Sequence, residues 1–191
     1  MSAYEQAEYV RLRVPCEREE ARRLRAGQRV LLSGRLYTAR DAAHKRMVEA
    51  LEAGERLPVD LAGAFIYYCG PAPAPPGRAI GSCGPTTAAR MDPFVEPLLQ
   101  AGLVGMIGKG NRSISVRRAI MWHGAVYLVA VGGAGALLAS HVREARVVAY
   151  DDLGPEAIFE LNVEDMPLLV AYDAAGGSVF AGEEPIEEVR T

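Results

Sequence analysis

The amino-acid sequence predicts an α/β fold with a mostly parallel central sheet, and three observations carry that expectation. Apolar, strand-like runs alternate with helical segments from residue 64 to residue 150, the order in which parallel strands are joined by crossover helices. Half of the 191 residues are hydrophobic and about a quarter are charged, enough for one domain, taken as 1–191, with a sizeable core. Further strand-like runs at both chain ends are expected to form a second, smaller, partly antiparallel sheet.

The elements follow in order. Val10 to Val14 alternates and reads as an opening strand. Glu17 to Leu24 is charged and helical in character. Val30 to Thr38 reads as a strand pair or as one strand bent at Gly34. Arg40 to Ala53 is a strong helix, with Asp41 in the first turn where a carboxylate suits the dipole, and Gly54 closing it. Ala64 to Cys69 is a bulky buried strand. The four prolines of residues 70–77 then fix an extended, shaped loop.

Thr86 to Gln100 reads as a helix that Pro93 breaks or kinks. Val104 to Ile107 is a short strand. Val116 to Met121 leads into Tyr127 to Val131, a central strand by composition. Gly132-Gly133-Ala134-Gly135-Ala136 lacks the GxGxxG spacing and the downstream acid of a dinucleotide loop, and is read as tight helix–strand packing before a small-residue helix, Ala136 to Val142. Arg146 to Tyr150 is a strand. Leu168 to Tyr172 and Val179-Phe180 are expected to close a hairpin around Asp173 to Gly177, and the acidic tail 182–191 is expected to fray.

A formal net charge of −3 and a pI near 5.7 argue against a nucleic-acid binder. Any anion site is therefore a local feature. The polar start, Met1 to Glu5, does not read as a secretory leader, and the longest apolar stretch, Ala125 to Ala139, is too short and too glycine-broken to span a bilayer. A cytoplasmic protein without membrane contact is expected. Cys16, Cys69 and Cys83 have no spacing that makes a self-contained zinc or iron–sulfur site, and read as buried or half-buried thiols.

Three segments bring a cation or a hydroxyl to a bend. In Gly84-Pro85-Thr86-Thr87, threonines open a helix, and Arg90 follows three to four residues on, so hydroxyl, backbone N–H groups and a guanidinium can converge on a carboxylate. A capping threonine beside an exposed arginine fits the same residues equally well. In Gly108-Lys109-Gly110, a lysine stands between glycines at the end of an apolar strand, where α/β sheets place ligands; a plain exposed turn is the alternative. Arg40 opens a helix, where a cation is electrostatically out of place, so either a bound anion or Asp41 must answer it. His44 lies four residues on along the same side, as a packed group or an acid/base.

Taken together, Thr38-Ala39-Arg40-Asp41-Ala42-Ala43-His44, Tyr68-Cys69-Gly70-Pro71, Gly84-Pro85-Thr86-Thr87 with Arg90-Met91-Asp92, Ile107-Gly108-Lys109-Gly110, Gly132-Gly133-Ala134 and Asp152 to Ala157 resemble the C-terminal, or β-subunit, region of class I fumarases and the related L-tartrate dehydratases. The resemblance covers nearly the whole chain, and GPTTxxRMD is its specific string. It implies a swivelling β/β/α fold and a hydro-lyase that interconverts fumarate and L-malate. It implies Arg40, Arg90 and Lys109 as ligands of a small dicarboxylate and Thr86 as catalytic base. Asp41, His44 and Thr87 would stand behind them. It also implies a 4Fe-4S cluster carried by a separate α subunit, none being bound by this chain, in an α2β2 assembly active only when complete. Cys83 departs from the small residue usual before Gly-Pro-Thr-Thr, either as a passive hydrophobe or as a redox-sensitive thiol near the cluster. A tartrate dehydratase β subunit and a stand-alone dicarboxylate-binding module are the alternatives.

Overall fold

At ten residues, β2 (Arg29–Thr38) is long enough to pair twice along one edge, and this organises the molecule. The computed structural model describes residues 9–130, 135–183 and 186. Along one edge of β2 lie β1 (Tyr9–Val14), matched to residues 29–34, and then β3 (Phe65–Tyr67), matched to Tyr37 and Thr38, both parallel. β4 (Gly105–Gly108) and β5 (Val126–Val129) continue the parallel order. The fifteen-residue β7 (Ile158–Tyr172) returns antiparallel, with β2 on one side and β5 and β6 (Val142–Ala149) on the other. The mixed sheet thereby closes into a barrel-like ring, β2-β3-β4-β5-β7, with β1 and β6 as flanking strands.

The expected second sheet is thus not separate. The strands from both chain ends belong to the same seven-stranded sheet, because β2 and β7 pair along most of their length and pull β1 and β6 in with them.

Strand alternation divides the core in two. Leu32, Leu36, Phe65, Tyr67, Ile107, Leu128, Leu161 and Val170 face one apolar cluster, which Ala21 of α1 (Arg18–Arg23) and Leu138 of α5 (Gly135–Ser140) join. Ile66, Tyr68, Met106, Tyr127 and Ala171 face the other, packed with Met47 of α2 (Asp41–Glu52), Leu98 of α3 (Val95–Gln100) and Ile120 of α4 (Ile114–His123). Ser113 caps α4 by accepting from the Val116 N–H at 3.4 Å, and Gly124 ends it in the left-handed region.

Several boundaries differ from the sequence expectation. The helix expected over Thr86–Gln100 is a 3-10 helix, Ala88–Phe94, followed by α3, because Pro93 removes a donor inside the first piece. The small-residue helix stops at Ser140, and Val142 opens β6. The closing hairpin reduces to a bridge between Tyr172 and Ser178, with the Val179 N–H donating to the Ala171 carbonyl at 3.1 Å. At Gly135 an added Cβ would lie 2.6 Å from Ser82 Oγ, so packing is tight there; residues 132–134 of that motif lie outside the described residues. Most of the tail expected to fray also lies outside them, while Glu183 is docked: it accepts from the Tyr172 hydroxyl at 3.1 Å and from Ser178 Oγ at 2.9 Å.

Candidate functional site

Parallel strands that end together leave their C-terminal ends along one margin of the sheet, the usual place for a ligand. Here β2, β3 and β4 are such neighbours. Arg40 follows the end of β2 and is the N-cap of α2. Lys109 follows the end of β4. Between the ends of β3 and β4 the loop at Thr86 is wedged into the ladder. The Thr86 N–H donates to the Tyr68 carbonyl at 2.6 Å, the Lys109 N–H donates to the Thr86 carbonyl at 3.2 Å, and the Ala88 N–H donates to the Lys109 carbonyl at 2.9 Å. Thr87 and Lys109 form a parallel bridge. The sequence-predicted residues therefore share one margin, and Arg90 sits in the 3-10 helix that leaves it.

The two arginines share a carboxylate. Asp41 Oδ1 lies 2.9 Å from Arg90 Nε, and its Oδ2 lies 3.9 Å from Arg40 Nε. Glu156, which the sequence reading did not single out as a site residue, reaches Arg40 Nη2 at 3.2 Å and accepts the Ala42 N–H at 3.1 Å. The cation out of place at the start of α2 is thus answered by Asp41 and Glu156. Gly70 makes room for it, since a Cβ there would lie 3.1 Å from Arg40 Nη1. Lys109 and Thr87 are exposed and Thr86 is half-buried. Neither the Lys109 ammonium nor the Thr86 hydroxyl has a partner among the described residues.

His44 faces inward. It is fully buried, its Nδ1 lies 2.8 Å from the Arg40 carbonyl, and its ring stands edge-on to Tyr68 at 5.2 Å. Burial lowers its pKa to about 4, and the nearby Arg112 charge works in the same direction, so the ring is neutral at pH 7. It supports Arg40 through the backbone rather than by touching the open face.

Sequence reasoning missed an ion pair beneath this margin whose arginine is wholly buried. Arg112 Nε lies 2.7 Å from Asp92 Oδ1, and Asp92 Oδ2 accepts the Ser113 N–H at 2.8 Å. The guanidinium sits over the rings of Tyr68 and Tyr127, at 5.4 and 5.0 Å. Asp92 lies in the specific string RMD, which could have flagged it. An arginine just ahead of a helix gives no such signal.

The chain's own thiols do not form a cluster-binding set. All three cysteines are buried; burial pushes Cys16 up to about 11 and raises Cys69 well above the ordinary thiol range. Among the described residues no three His, Cys, Asp or Glu side chains group as metal ligands. Two surface hollows, of about 500 and 560 Å³, lie away from the cation margin, one beside Arg35, Arg146 and Glu160 and one beside Cys16 and Gly102. Among the described residues no helix is long and apolar enough to cross a membrane.

Comparison with known proteins identifies the family. The family described as Fumarase C-terminus matches residues 1–183. Fumarate hydratase 2 of Leishmania major is 40% identical over 167 residues, covering 86% of this chain and 29% of the relative. The aerobic class I fumarate hydratase of Escherichia coli K12 is 43% identical over 154 residues, covering 80% of this chain and 28% of the relative. A putative L(+)-tartrate dehydratase subunit beta of Methanocaldococcus jannaschii is 38% identical over 169 residues, covering 85% of this chain and 87% of the relative. The chain thus spans under a third of the fumarate hydratases and most of the separate subunit. With residues 1–183 matched, and with the GPTTxxRMD string at the margin where β2, β3 and β4 end, the chain belongs to the fumarase C-terminus family.

Proposed function

We propose that this chain is the substrate-clamping β subunit of a two-subunit iron–sulfur hydro-lyase, built as a single swivelling β/β/α domain and acting in the cytoplasm on fumarate and L-malate. The observation that carries the reading is the margin itself: Arg40 and Arg90 are tied through Asp41, beside Thr86 and Lys109 on one backbone ladder. Relatives named fumarate hydratase support the reaction, and the relative named as a β subunit supports a separate α chain.

A small dianion needs cations at both ends, and two guanidiniums and an ammonium supply them. Dehydration takes a proton from one carbon and a hydroxide from its neighbour, and the C–H electron pair becomes the new double bond. Proton removal beside a carboxylate builds charge on that carboxylate, which fixed cations stabilise. Thr86 is assigned the proton. A threonine hydroxyl is a weak base by itself, so it depends on neighbouring cations or a partner group to lower its pKa. The 4Fe-4S cluster belongs to the α subunit in this reading; among the described residues no three His, Cys, Asp or Glu side chains group as metal ligands.

The test is anaerobic co-expression with the α chain, followed by dehydration assays on L-malate and L-tartrate. Malate turnover that falls by orders of magnitude in Arg90→Ala, with the fold intact, supports the proposal. Preference for tartrate moves the chain to the second reading, a tartrate dehydratase β subunit, which the match over 87% of the separate subunit favours. Diacid binding without turnover by any assembled complex identifies a binding module instead, and neither binding nor turnover sinks the reading.

A further inference from the structure

Each of the three candidate substrate cations is followed, a short step along the chain, by a polar residue that is buried or, for Asp92, mostly buried. Arg40 is followed by His44, Arg90 by Asp92 and Lys109 by Arg112. These three companions come from three different elements: α2, the 3-10 helix and the turn before α4. All three meet around Tyr68 or on each other. His44 stands edge-on to the Tyr68 ring, Arg112 lies over its face and reaches its hydroxyl at 3.4 Å, and Asp92 holds Arg112 at 2.7 Å. We propose that Arg112 is a positioning residue, which with Asp92 and His44 locks the three cation-bearing segments into one register beneath the substrate. This inference rests on the function proposed above.

The side chain of Arg112 is wholly buried. A cation in that position is expensive unless it is paired, and an apolar side chain of similar size is often at least as stable there. Stability therefore does not account for the choice of residue. The guanidinium does what an apolar chain cannot: its planar fork holds several partners in fixed directions at once. Nε points to Asp92 and Nη1 to Tyr68, while the backbone N–H of the same residue donates to the Tyr172 hydroxyl at 3.2 Å. Asp92 uses its second oxygen on the Ser113 N–H, so the 3-10 helix that carries Arg90 is fastened to the start of α4. Tyr127, whose ring centre lies 5.0 Å from the guanidinium, donates to the Gly110 carbonyl at 2.9 Å and pins the Lys109 turn.

Gly108 makes this approach possible. A Cβ there would meet Tyr68 Cδ2 at 2.9 Å and the Tyr127 hydroxyl at 3.3 Å. His44 completes the arrangement on the side of Arg40. A carbonyl only accepts, so Nδ1 of the neutral ring carries the proton toward Arg40 and leaves Nε2 as an acceptor. That Nε2 and Arg112 Nη2 are both buried and without a hydrogen-bond partner, an acceptor and a donor on two groups that share Tyr68.

The test uses the complete complex, with L-malate and L-tartrate as substrates. Arg112→Met, Arg112→Lys and Asp92→Asn are made alone, and Arg112→Met and Asp92→Asn also in a Lys109→Met background, with kcat, KM and the thermal midpoint measured for each. Arg112→Met is expected to lower kcat/KM at least tenfold, raising KM as well as lowering kcat. Arg112→Lys keeps the charge without the fork and is expected to recover less than half of that loss on a logarithmic scale. Asp92→Asn falls between wild type and Arg112→Met. In the Lys109→Met background the further loss from either change is expected to be smaller than in wild type, since one of the three positioned cations is gone.

A merely structural role predicts a lowered thermal midpoint with KM unmoved and equal fold-losses in both backgrounds; that result overturns the proposal. So does a folded Arg112→Met complex with kcat/KM within twofold of wild type. Should Arg112→Met not assemble, Asp92→Asn decides by the same two criteria. A wild-type complex that turns over neither diacid removes the proposed function and this inference with it. An active wild type with unaffected variants removes this inference alone.

Discussion

The buried imidazole of His44 makes the stability of the chain acid-sensitive by a calculable amount. The ring is fully buried and its pKa is lowered from 6.5 to about 4 by burial, and secondarily by Arg112. A histidine with a depressed folded pKa favours the unfolded state once protons bind. Above pH 6.5 the ring is neutral in both states and contributes no pH dependence. As pH falls through 6.5 the unfolded chain takes up the proton first, and stability declines until the folded ring also protonates near pH 4. The full span is on the order of 3 kcal/mol, and at pH 4.5 about 2.5 kcal/mol of it is already lost. Carboxylates titrate in the same window, so the measurement is a difference. His44→Asn keeps an N–H able to reach the Arg40 carbonyl but does not titrate. Urea unfolding of wild type and His44→Asn at pH 7.5 and pH 4.5 should show the stability gap between them moving by about 2.5 kcal/mol in favour of the variant at the lower pH. A gap constant to within about 0.5 kcal/mol would mean that the ring reaches water and that the buried polar layer is not closed as described.

Other perturbations separate scaffold from site. Asp41→Asn leaves the half-exposed Arg90 without its carboxylate, so unfolding free energy should change by less than about 1 kcal/mol; kcat/KM of the assembled enzyme should nevertheless fall roughly tenfold as Arg90 loses its orientation, a change of about 1.4 kcal/mol. Unaltered kinetics would remove Asp41 from the site. Gly34→Ala places a Cβ 2.1 Å from the Val14 carbonyl oxygen at φ +111°, where β1 meets β2, and denaturant titration should show a loss of about 2 kcal/mol or more. The thiols of Cys16, Cys69 and Cys83 should react with an aromatic disulfide reagent at pH 8 far more slowly in the folded chain than in denaturant, because burial keeps Cys16 and Cys69 protonated and encloses all three. Rapid labelling of the native chain would contradict that burial.

The parallel part of the fold and the identity of the cations were legible in the sequence because both are local. A bulky run such as Phe65-Ile66-Tyr67, or a lysine between glycines at a strand end, announces itself within a few residues. What was not legible depended on partners far along the chain. β7 was expected only from Leu168, because Glu160, Asn162, Glu164, Asp165 and Pro167 look unlike a central strand. Leu161, Val163 and Met166 are nonetheless buried in the first apolar cluster, and the alternation between Val163 and Met166 shifts where Asp165 takes φ +49° and its N–H donates to Ser33 Oγ at 2.9 Å. Pro167 is tolerated because it falls between the pairing of β7 with β6, which ends at Val163, and its pairing with β5, which begins at Leu169. Glu156 and Arg112 were missed for the same reason: their partners, Arg40 and Asp92, lie 116 and 20 residues away.

The three cations of the margin are unequal, and the inequality bears on why such a site would need a second surface. Arg40 is held by two carboxylates and Arg90 by one, while Lys109 has none among the described residues. An incoming diacid therefore meets one free cation and two whose charge is already partly answered. In contact with water those existing pairs are weak, and so is any replacement. Two unit charges about 4 Å apart interact by only about 1 kcal/mol in bulk water, against about 4 kcal/mol at the effective dielectric of a partly buried site. In the proposed assembly the α subunit excludes water from the margin. The same side chains then change from a loosely compensated patch into a grip, without moving. Affinity of the isolated chain for a diacid should accordingly be weak and strongly salt-dependent, while that of the complex should be tighter and less sensitive to salt.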